Sequence, residues 1–494
     1  VDVNEYMSYD ATGLAELVAG RQVKPAELLA LARQRAAEVN PKLNAIVIEI
    51  IKEADAQCAG ELSGPLAGVP FLIKDLMQEY KGYPVTFGSR SLKNWIAEEH
   101  SLLVRRFLDA GLVIFGRTNT PEFGAKGITE SELWGPCRNP WDTNRTPGGS
   151  SGGSASAVAG GIVPAAGASD GGGSIRIPAA CNGLVGLKLG RGLTPYGPQM
   201  REPMFGIAVD GVVTRSVRDQ AALLDAIIGP DPYADYAAAM PEVPFAEQLE
   251  SPPGRLRIGY SAKSAITATP DPDAVRAVES AAELLTELGH DVEEINPPYD
   301  DKALAEDFLT IWFAVCAMEV ELAREEVGAS FKEFEADTLA MAEIGRANGA
   351  VAAMKAMENT VQYIRELARF HETYDYFLTP TIAKKPVRIG ELDTAPTLQK
   401  AARLMHRAHG GKLMLKTGII EQMIEENLGW VPYTQLANLT GRPAINVPIH
   451  WTDDGLPLGV QFVGALGAEG ALLQLAAQLE EARPWANRFP AQPK

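Results

Sequence analysis

The chain reads as an α/β protein built on a mixed sheet, and three observations predict it. Short apolar or β-branched runs recur, among them Ala45-Ile46-Val47-Ile48, Val69-Pro70-Phe71-Leu72-Ile73-Lys74 and Leu112-Val113-Ile114-Phe115-Gly116. Helix-like patterns separate them, and this alternation is the mark of an α/β sheet. With 494 residues, 46% hydrophobic and 22% charged, the chain has the length and apolar content for a large core.

Two amphipathic helices are expected at the N-terminus. Asp10 can cap the first, and Pro25 stands where the second would begin, running to about Val39. A helical stretch from Ser101 to Ala110 leads through Gly111 into the run Leu112–Gly116. Further helical patterns cover Ser216–Ile228 and Asp273–Gly289, the second followed by a strand-like run ending at Ile295. From about Asp301 to His371 the pattern is almost all helical, with interruptions expected at Gly328 and Gly345. Strand-like runs return at Tyr376-Phe377-Leu378 and Leu458–Val463, and a last helix spans about Glu469–Glu481. The most loop-like stretches are Gly229–Pro253 and Leu189–Phe205. Neither has a linker composition, and there is no internal repeat, so a single domain over 1–494 is expected.

A formal charge of −18 and a pI near 4.9, with no Lys/Arg-rich block, disfavour nucleic acid and anionic membranes as partners. Cys58, Cys137, Cys181 and Cys316 lie far apart without C-x-x-C spacing. Neither a metal site nor a disulfide framework is expected, and a reducing cytoplasm is the default. The first thirty residues carry acids and glycine where a signal peptide needs a basic start and an apolar run. No apolar stretch approaches a membrane span, and the sequons at Asn144 and Asn438 read as chance matches.

The chemistry concentrates between Gly148 and Pro178. Ser150 lies in Gly148-Gly149-Ser150-Ser151-Gly152-Gly153-Ser154, and Ser174 in Gly171-Gly172-Gly173-Ser174-Ile175-Arg176-Ile177-Pro178. Glycines let the backbone turn at positive φ and let a ligand approach closely. A hydroxyl in such a turn stands among unpaired N–H groups, which suits a nucleophile beside an oxyanion site. One such segment alone would read as a tight turn opening the helix Ala155–Ala159. Two of them, 24 positions apart, are hard to explain by packing.

The string Gly149-x-Ser151-x-Gly153 also fits the nucleophile elbow of α/β-hydrolases. An elbow requires a strand immediately before its serine, whereas Arg138-Asn139-Pro140-Trp141-Asp142 through Pro147 reads as irregular loop. The later histidines (His290, His371, His406, His409, His450) lie in no telling context and read as surface or structural residues. The elbow match is fortuitous on these grounds.

Taken with Asp170 before the second turn and Gly186-Leu187-Lys188 after it, the two segments resemble the signature of the amidase signature family. Gly68-Val69-Pro70-Phe71-Leu72-Ile73-Lys74-Asp75 looks like the family's lysine strand. Gly116-Arg117-Thr118-Asn119-Thr120-Pro121-Glu122-Phe123 and Gly441-Arg442-Pro443-Ala444-Ile445-Asn446-Val447-Pro448 resemble its other usual blocks, so the likeness covers nearly the whole chain. It implies a large mixed sheet covered by helices on both faces, a catalytic core at about 65–230 and a helical substrate-pocket layer at about 300–430. It also implies a Ser–Ser–Lys triad without cofactor or metal: Ser174 the nucleophile, Ser150 the bridging serine associated with a cis peptide, Lys74 the base.

A serine hydroxyl needs a base, and lysine serves only when neutral, in a dry pocket. Lys74 ends an apolar run that would bury its stem. Asp75 beside it would favour the ammonium unless the segment is extended and the carboxylate points to the other face. Backbone N–H groups of Gly171, Gly172, Gly173 and Ser174 are the expected oxyanion donors. Asp170 and Arg176 are expected to pair and hold the turn, and Ser151 and Ser154 to cap or support the serine loop. Leu189-Gly190 stands where the family usually has Pro-Thr, which leaves the triad intact and the next loop's shape open.

The family's substrates differ widely, so the triad does not name this one. Pocket walls are expected from Leu189–Phe205, the region of Ile311-Trp312-Phe313, and Met405–Trp430. Tyr196, Met200, Met204, Phe205, Trp312, Phe313, Met414 and Trp430 make these stretches apolar and aromatic. The expectation is an amidohydrolase for bulky neutral amides or anilides, with carbamates as a further class, working through an acyl-enzyme with a neutral-to-alkaline optimum. It would resemble an aryl acylamidase, a cyclic-amide hydrolase or a urethanase, be monomeric or homodimeric, and take a small-molecule substrate. Alternatives are a hydrolase of cyclic or linear oligoamides, the glutaminase subunit of a tRNA amidotransferase, and an inactive binding or scaffold homologue.

Overall fold

The computed structural model describes every residue except 268, 417, 419–421 and 492–494. In chain order its strands are β1 (Ile46–Glu49), β2 (Pro70–Lys74), β3 (Val113–Thr118), β4 (Glu130–Ser131), β5 (Gly135–Pro136), β6 (Ala165–Asp170), β7 (Gly186–Lys188), β8 (Val209–Thr214), β9 (Arg257–Tyr260), β10 (Asp291–Glu294), β11 (Tyr376–Pro380), β12 (Ala444–Trp451) and β13 (Pro457–Val463). One sheet runs β1-β3-β2-β6-β8 and another β10-β9-β11-β13-β12-β7, with β4 and β5 a small hairpin apart. The two large sheets meet where Val185 and Thr214 exchange N–H···O bonds of 2.9 and 3.1 Å. Parallel pairs (β2 with β3 and β6, β9 with β10 and β11) stand beside antiparallel ones. The mixed α/β fold expected from the sequence is the one that forms.

β2, β3, β6, β8, β11 and β13 are buried along their whole length. Strands buried on both faces need helices on both, and this is why they read as apolar runs without alternation. The Gly152–Ala159 helix, all small residues, is wholly buried. A Cβ on its Gly153 would stand 2.3 Å from the Asn119 nitrogen, so the small side chains let backbone approach backbone.

Two departures from expectation among the helices bear on the fold. Three open the chain: Val3–Ser8, capped by Asp2, Ala11–Ala19, capped by Asp10 through the Gly13 N–H, and Pro25–Leu43. In the helical layer, Asp301–Val327 ends as expected at Gly328 in the left-handed conformation. The second break falls at Gly349 (φ 73°) within Ala336–Phe370, not at Gly345. Gly345 is a contact glycine: a Cβ there would lie 2.0 Å from the Phe313 carbonyl oxygen. What looked like a break is the place where two long helices touch. Among the described residues no helix is long and apolar enough to cross a membrane.

Candidate active site

Lys74 is the last residue of β2 and is fully buried. Its Nζ donates to Ser150 Oγ and to Ser169 Oγ, each at 2.8 Å. Its own N–H donates to Gln78 Oε1 at 2.8 Å, and its carbonyl accepts from Arg117 Nη1 at 3.0 Å. Burial drives the amine's pKa down to about 7, against the pull of Asp210 and Asp170. Asp75 does turn the other way. Its carboxylate accepts from the Thr86 N–H at 2.9 Å, from Trp134 Nε1 at 3.2 Å and from the Thr86 hydroxyl.

The Gly149–Ser150 peptide is cis. Gly149 is pressed against Ile128, where a Cβ would come within 2.4 Å of the carbonyl oxygen. The approach to Ser150 is irregular, with no strand before it, as the elbow argument required. Ser151 is turned onto β6: its Oγ donates to the Ser169 carbonyl at 3.1 Å and accepts the Ser169 N–H at 3.2 Å. Ser154 Oγ donates to the Gly167 carbonyl at 2.6 Å. Both serines pin the loop to β6, and neither makes a side-chain cap.

The Gly171–Ser174 turn follows β6 directly. Asp170 and Arg176 are fully buried and pair through two 3.0 Å bonds, Nε to Oδ2 and Nη2 to Oδ1. Burial alone would raise the Asp170 pKa, but the guanidinium beside it holds the carboxyl well below the usual range. Arg176 also donates to the Thr434 carbonyl (2.8 Å), Gln461 Oε1 (2.8 Å) and Asn438 Oδ1 (2.7 Å). The Gly172 carbonyl accepts from Thr434 Oγ1 at 2.6 Å and Gln435 Nε2 at 3.3 Å. The Gly173 N–H donates to Asp170 Oδ1 at 2.7 Å. The peptide between those two glycines is thus held at both ends, and the Gly173 N–H, one of the four expected oxyanion donors, is engaged by Asp170. Ser174 is 7% exposed, and its carbonyl accepts the Ser151 N–H at 3.3 Å, tying the two serine loops together.

The expected pocket residues separate. Trp312 lies against the turn: a Cβ on Gly171 would meet its ring at 3.4 Å and the Met204 sulfur at 3.2 Å. Phe308, one helical turn earlier and not foreseen, would stand 2.7 Å from a Cβ on Gly172 and stacks on Trp312 at 5.3 Å. Phe205 is more than half exposed and Met200 partly buried. Phe313 points instead into the helix core, because one residue along a helix turns the side chain by about 100°. Tyr196 is core as well, its hydroxyl accepting the Asp210 N–H at 2.9 Å. Trp430 is buried against Gly127, and Met414 lies in the helix core. Gly190, at the departure from the family's Pro-Thr, donates its N–H to Glu469 Oε1 at 2.8 Å. Of Met405–Trp430, residues 417 and 419–421 lie outside the described residues.

Ser169, Gln78, Asp210, Thr434, Gln435 and Asn438 were not among the site residues expected from the sequence, Asn438 having been read only as a chance sequon. Ser169 stands beside Asp170 at the end of β6, and Asp210 is the one charged residue of β8, which is the one local signal they carry. The others sit in ordinary-looking loops or short helices.

A mixed sheet that delivers a buried lysine and two glycine-flanked serines to one place is the frame of an amidase-type hydrolase acting on C–N bonds. The family model described as Amidase matches residues 27–473, and the chain belongs to the amidase signature family. It is 36% identical over 491 residues to a 6-aminohexanoate-cyclic-dimer hydrolase of Pseudomonas sp. (strain NK87), covering 97% of this chain and 96% of that relative. It is 37% identical over 483 residues to the putative amidase AmiC of Mycobacterium leprae (strain TN), with 97% and 96% covered. A solved structure of 6-aminohexanoate cyclic dimer hydrolase complexed with substrate superposes with a TM-score of 0.91 at 35% identity, over 100% of both chains. A bacterial aryl acylamidase of the same family superposes with a TM-score of 0.83 at 26% identity, over 97% of this chain and 99% of that one.

Proposed function

We propose that this enzyme cleaves the C–N bond of bulky neutral amides through an acyl-enzyme on Ser174, with Ser150 as the proton bridge and Lys74 as the base. The observation that carries the reading is the 2.8 Å contact between a fully buried Lys74 Nζ and Ser150 Oγ. With its pKa brought to about 7, a substantial share of the amine is neutral near pH 7 and can accept a proton. Lys74 takes the proton of Ser150 as Ser150 takes that of Ser174, and Ser174 Oγ adds to the amide carbon. N–H donors of the glycine turn face the oxyanion, at about 3–4 kcal/mol of barrier per donor. The proton returns through Ser150 to the leaving nitrogen, and water repeats the sequence to release the acid.

Within that class, cyclic and linear oligoamides take first place, ahead of anilides and carbamates. The Pseudomonas relative and the substrate-bound solved structure act, by their names, on the cyclic dimer of 6-aminohexanoate, itself a bulky neutral amide. The Phe308–Trp312 stack beside Gly171 and Gly172 supports an apolar chain there. The test is a panel of cyclic oligoamide, linear oligoamide, anilide, carbamate and small carboxamide, with Ser174→Ala as the blank. Turnover of the oligoamides is expected. Turnover of small carboxamides alone would overturn the substrate class, and activity in Ser174→Ala would overturn the triad.

A further inference from the structure

Behind Lys74 lies a second buried acid that the triad does not use. Asp210, on β8, stands directly opposite Ser169 in the β6–β8 ladder. Opposite residues of an antiparallel pair share one face of the sheet, and Ser169 is the residue that receives the Lys74 amine. The Asp210 side chain is 1% exposed. Its Oδ1 accepts from Gln78 Nε2 at 3.0 Å, and Gln78 uses its Oε1 to hold the Lys74 N–H. Asp210 Oδ2 is buried with no hydrogen-bond partner, and among the described residues no cation is ion-paired with it.

Two acids bear on the Lys74 amine, and they differ in what else holds them. Asp170 is bound on both oxygens by Arg176 and by backbone N–H groups. Asp210 has an oxygen to spare. When Lys74 accepts the serine proton, a positive charge appears on a fully buried amine, where an unneutralised ammonium is costly. We propose that Asp210 is the counter-charge to Lys74, a positioning residue whose carboxylate stabilises the ammonium formed as the serine proton arrives. This rests on the reading of Lys74 as the base. Asp210 exchanges no proton in the step. The proton moves from Ser174 through Ser150 to Nζ, and the electron pair left on Ser174 Oγ forms the bond to carbon.

Burial pushes the Asp210 carboxyl up to about 8, with Gln78 and Lys74 pulling it down and Glu79 adding to the rise. The other groups facing the pair are the Tyr196 hydroxyl, Asp170 at the end of β6, and Arg117 on β3, which faces Asp75 and Glu79. Asp210 pulls the Lys74 amine toward its charged form and Lys74 pulls the Asp210 carboxyl toward its own, so the two titrate as a pair.

The test compares kcat/KM against pH for the wild-type chain and Asp210→Asn, which keeps an acceptor for Gln78 and removes the charge. The acid limb of Asp210→Asn is expected about one pH unit lower, a tenfold change in neutral amine on the limb, with the alkaline plateau about tenfold lower and KM little changed. A profile that superimposes on the wild type, or one lowered uniformly with its limb in place, would overturn the proposal. Lys74→Met is assayed alongside. If it keeps wild-type activity, the base and the counter-charge both fail; if it is inactive while the Asp210→Asn limb does not move, only the counter-charge fails. Should Asp210→Asn not fold, carbon-13 aspartate labelling of Ser174→Ala gives a second readout. A carboxyl titrating near 8 should move higher when Lys74→Met is added, and one that does not respond overturns the coupling.

Discussion

Lys74 and Asp75 are neighbours in the chain, yet the amine meets Ser150 and Ser169 while the carboxylate meets Thr86 and Trp134. An adjacent carboxylate on the same face would keep the amine charged. By facing the other way, Asp75 leaves burial as the dominant influence on Lys74, and burial favours the neutral base.

The first prediction is a pH profile. Activity of the wild-type chain on an oligoamide should rise with pH through about 7, as Lys74 gives up its proton. Steady-state kcat/KM from mildly acid to alkaline buffers checks it. A flat profile would remove Lys74 as the titrating base.

The same burial has a stability consequence. The folded pKa of Lys74 lies below the ordinary lysine value of 10.5, so between about 7 and 10.5 the unfolded chain binds more protons. Stability therefore rises with pH across that window, and the penalty is fully present below about 7. Lys74→Met should be inactive yet more stable at mildly acid pH, by on the order of a few kcal/mol. Denaturant unfolding at acid and alkaline pH measures the difference, which should shrink as the pH rises.

Arg176→Met should destabilise the fold by about 3–5 kcal/mol and abolish activity, because it strands the Asp170 charge in the interior. Combining it with Asp170→Asn should recover part of the stability but not the activity, since the Gly173 N–H would have lost its charged acceptor. Chemical denaturation of the three variants, with activity at saturating substrate, separates the two effects.

Phe308→Ala should raise KM for a bulky amide about tenfold or more, from the loss of a buried aromatic contact. A small carboxamide should be far less affected. The ratio of kcat/KM for the two substrates is the readout, and an equal loss on both would place Phe308 in packing alone.

Gly345→Ala should cost about 1–3 kcal/mol or more, because the new methyl meets the Phe313 backbone and not a side chain that can swing aside. Thermal unfolding checks it.

Much of the site was legible in the sequence because its chemistry is written in short strings. Ser150 and Ser174 announce themselves by their glycines, and Asp170 and Arg176 flank the second turn at the spacing their pairing needs. The residues that complete the site carry no such signal. Asn438 and Thr434 reach the turn across more than 250 positions of chain, and Phe308 looks like one more apolar residue in a long helix. Gly345 was misread for the same reason, since a glycine that lets a helix break and one that lets two helices touch are identical in sequence.

By itself the sequence determined the fold class and the family and singled out Lys74, Ser150 and Ser174 as candidates, because periodicity and glycine chemistry are local properties of the chain. Only the tertiary structure decided which way Asp75 faces, that Gly173 is committed to Asp170, and that Asp210 lies behind the lysine with an oxygen unpaired. Burial and direction decide those matters, and both arise from strand register and helix packing between segments far apart in the chain.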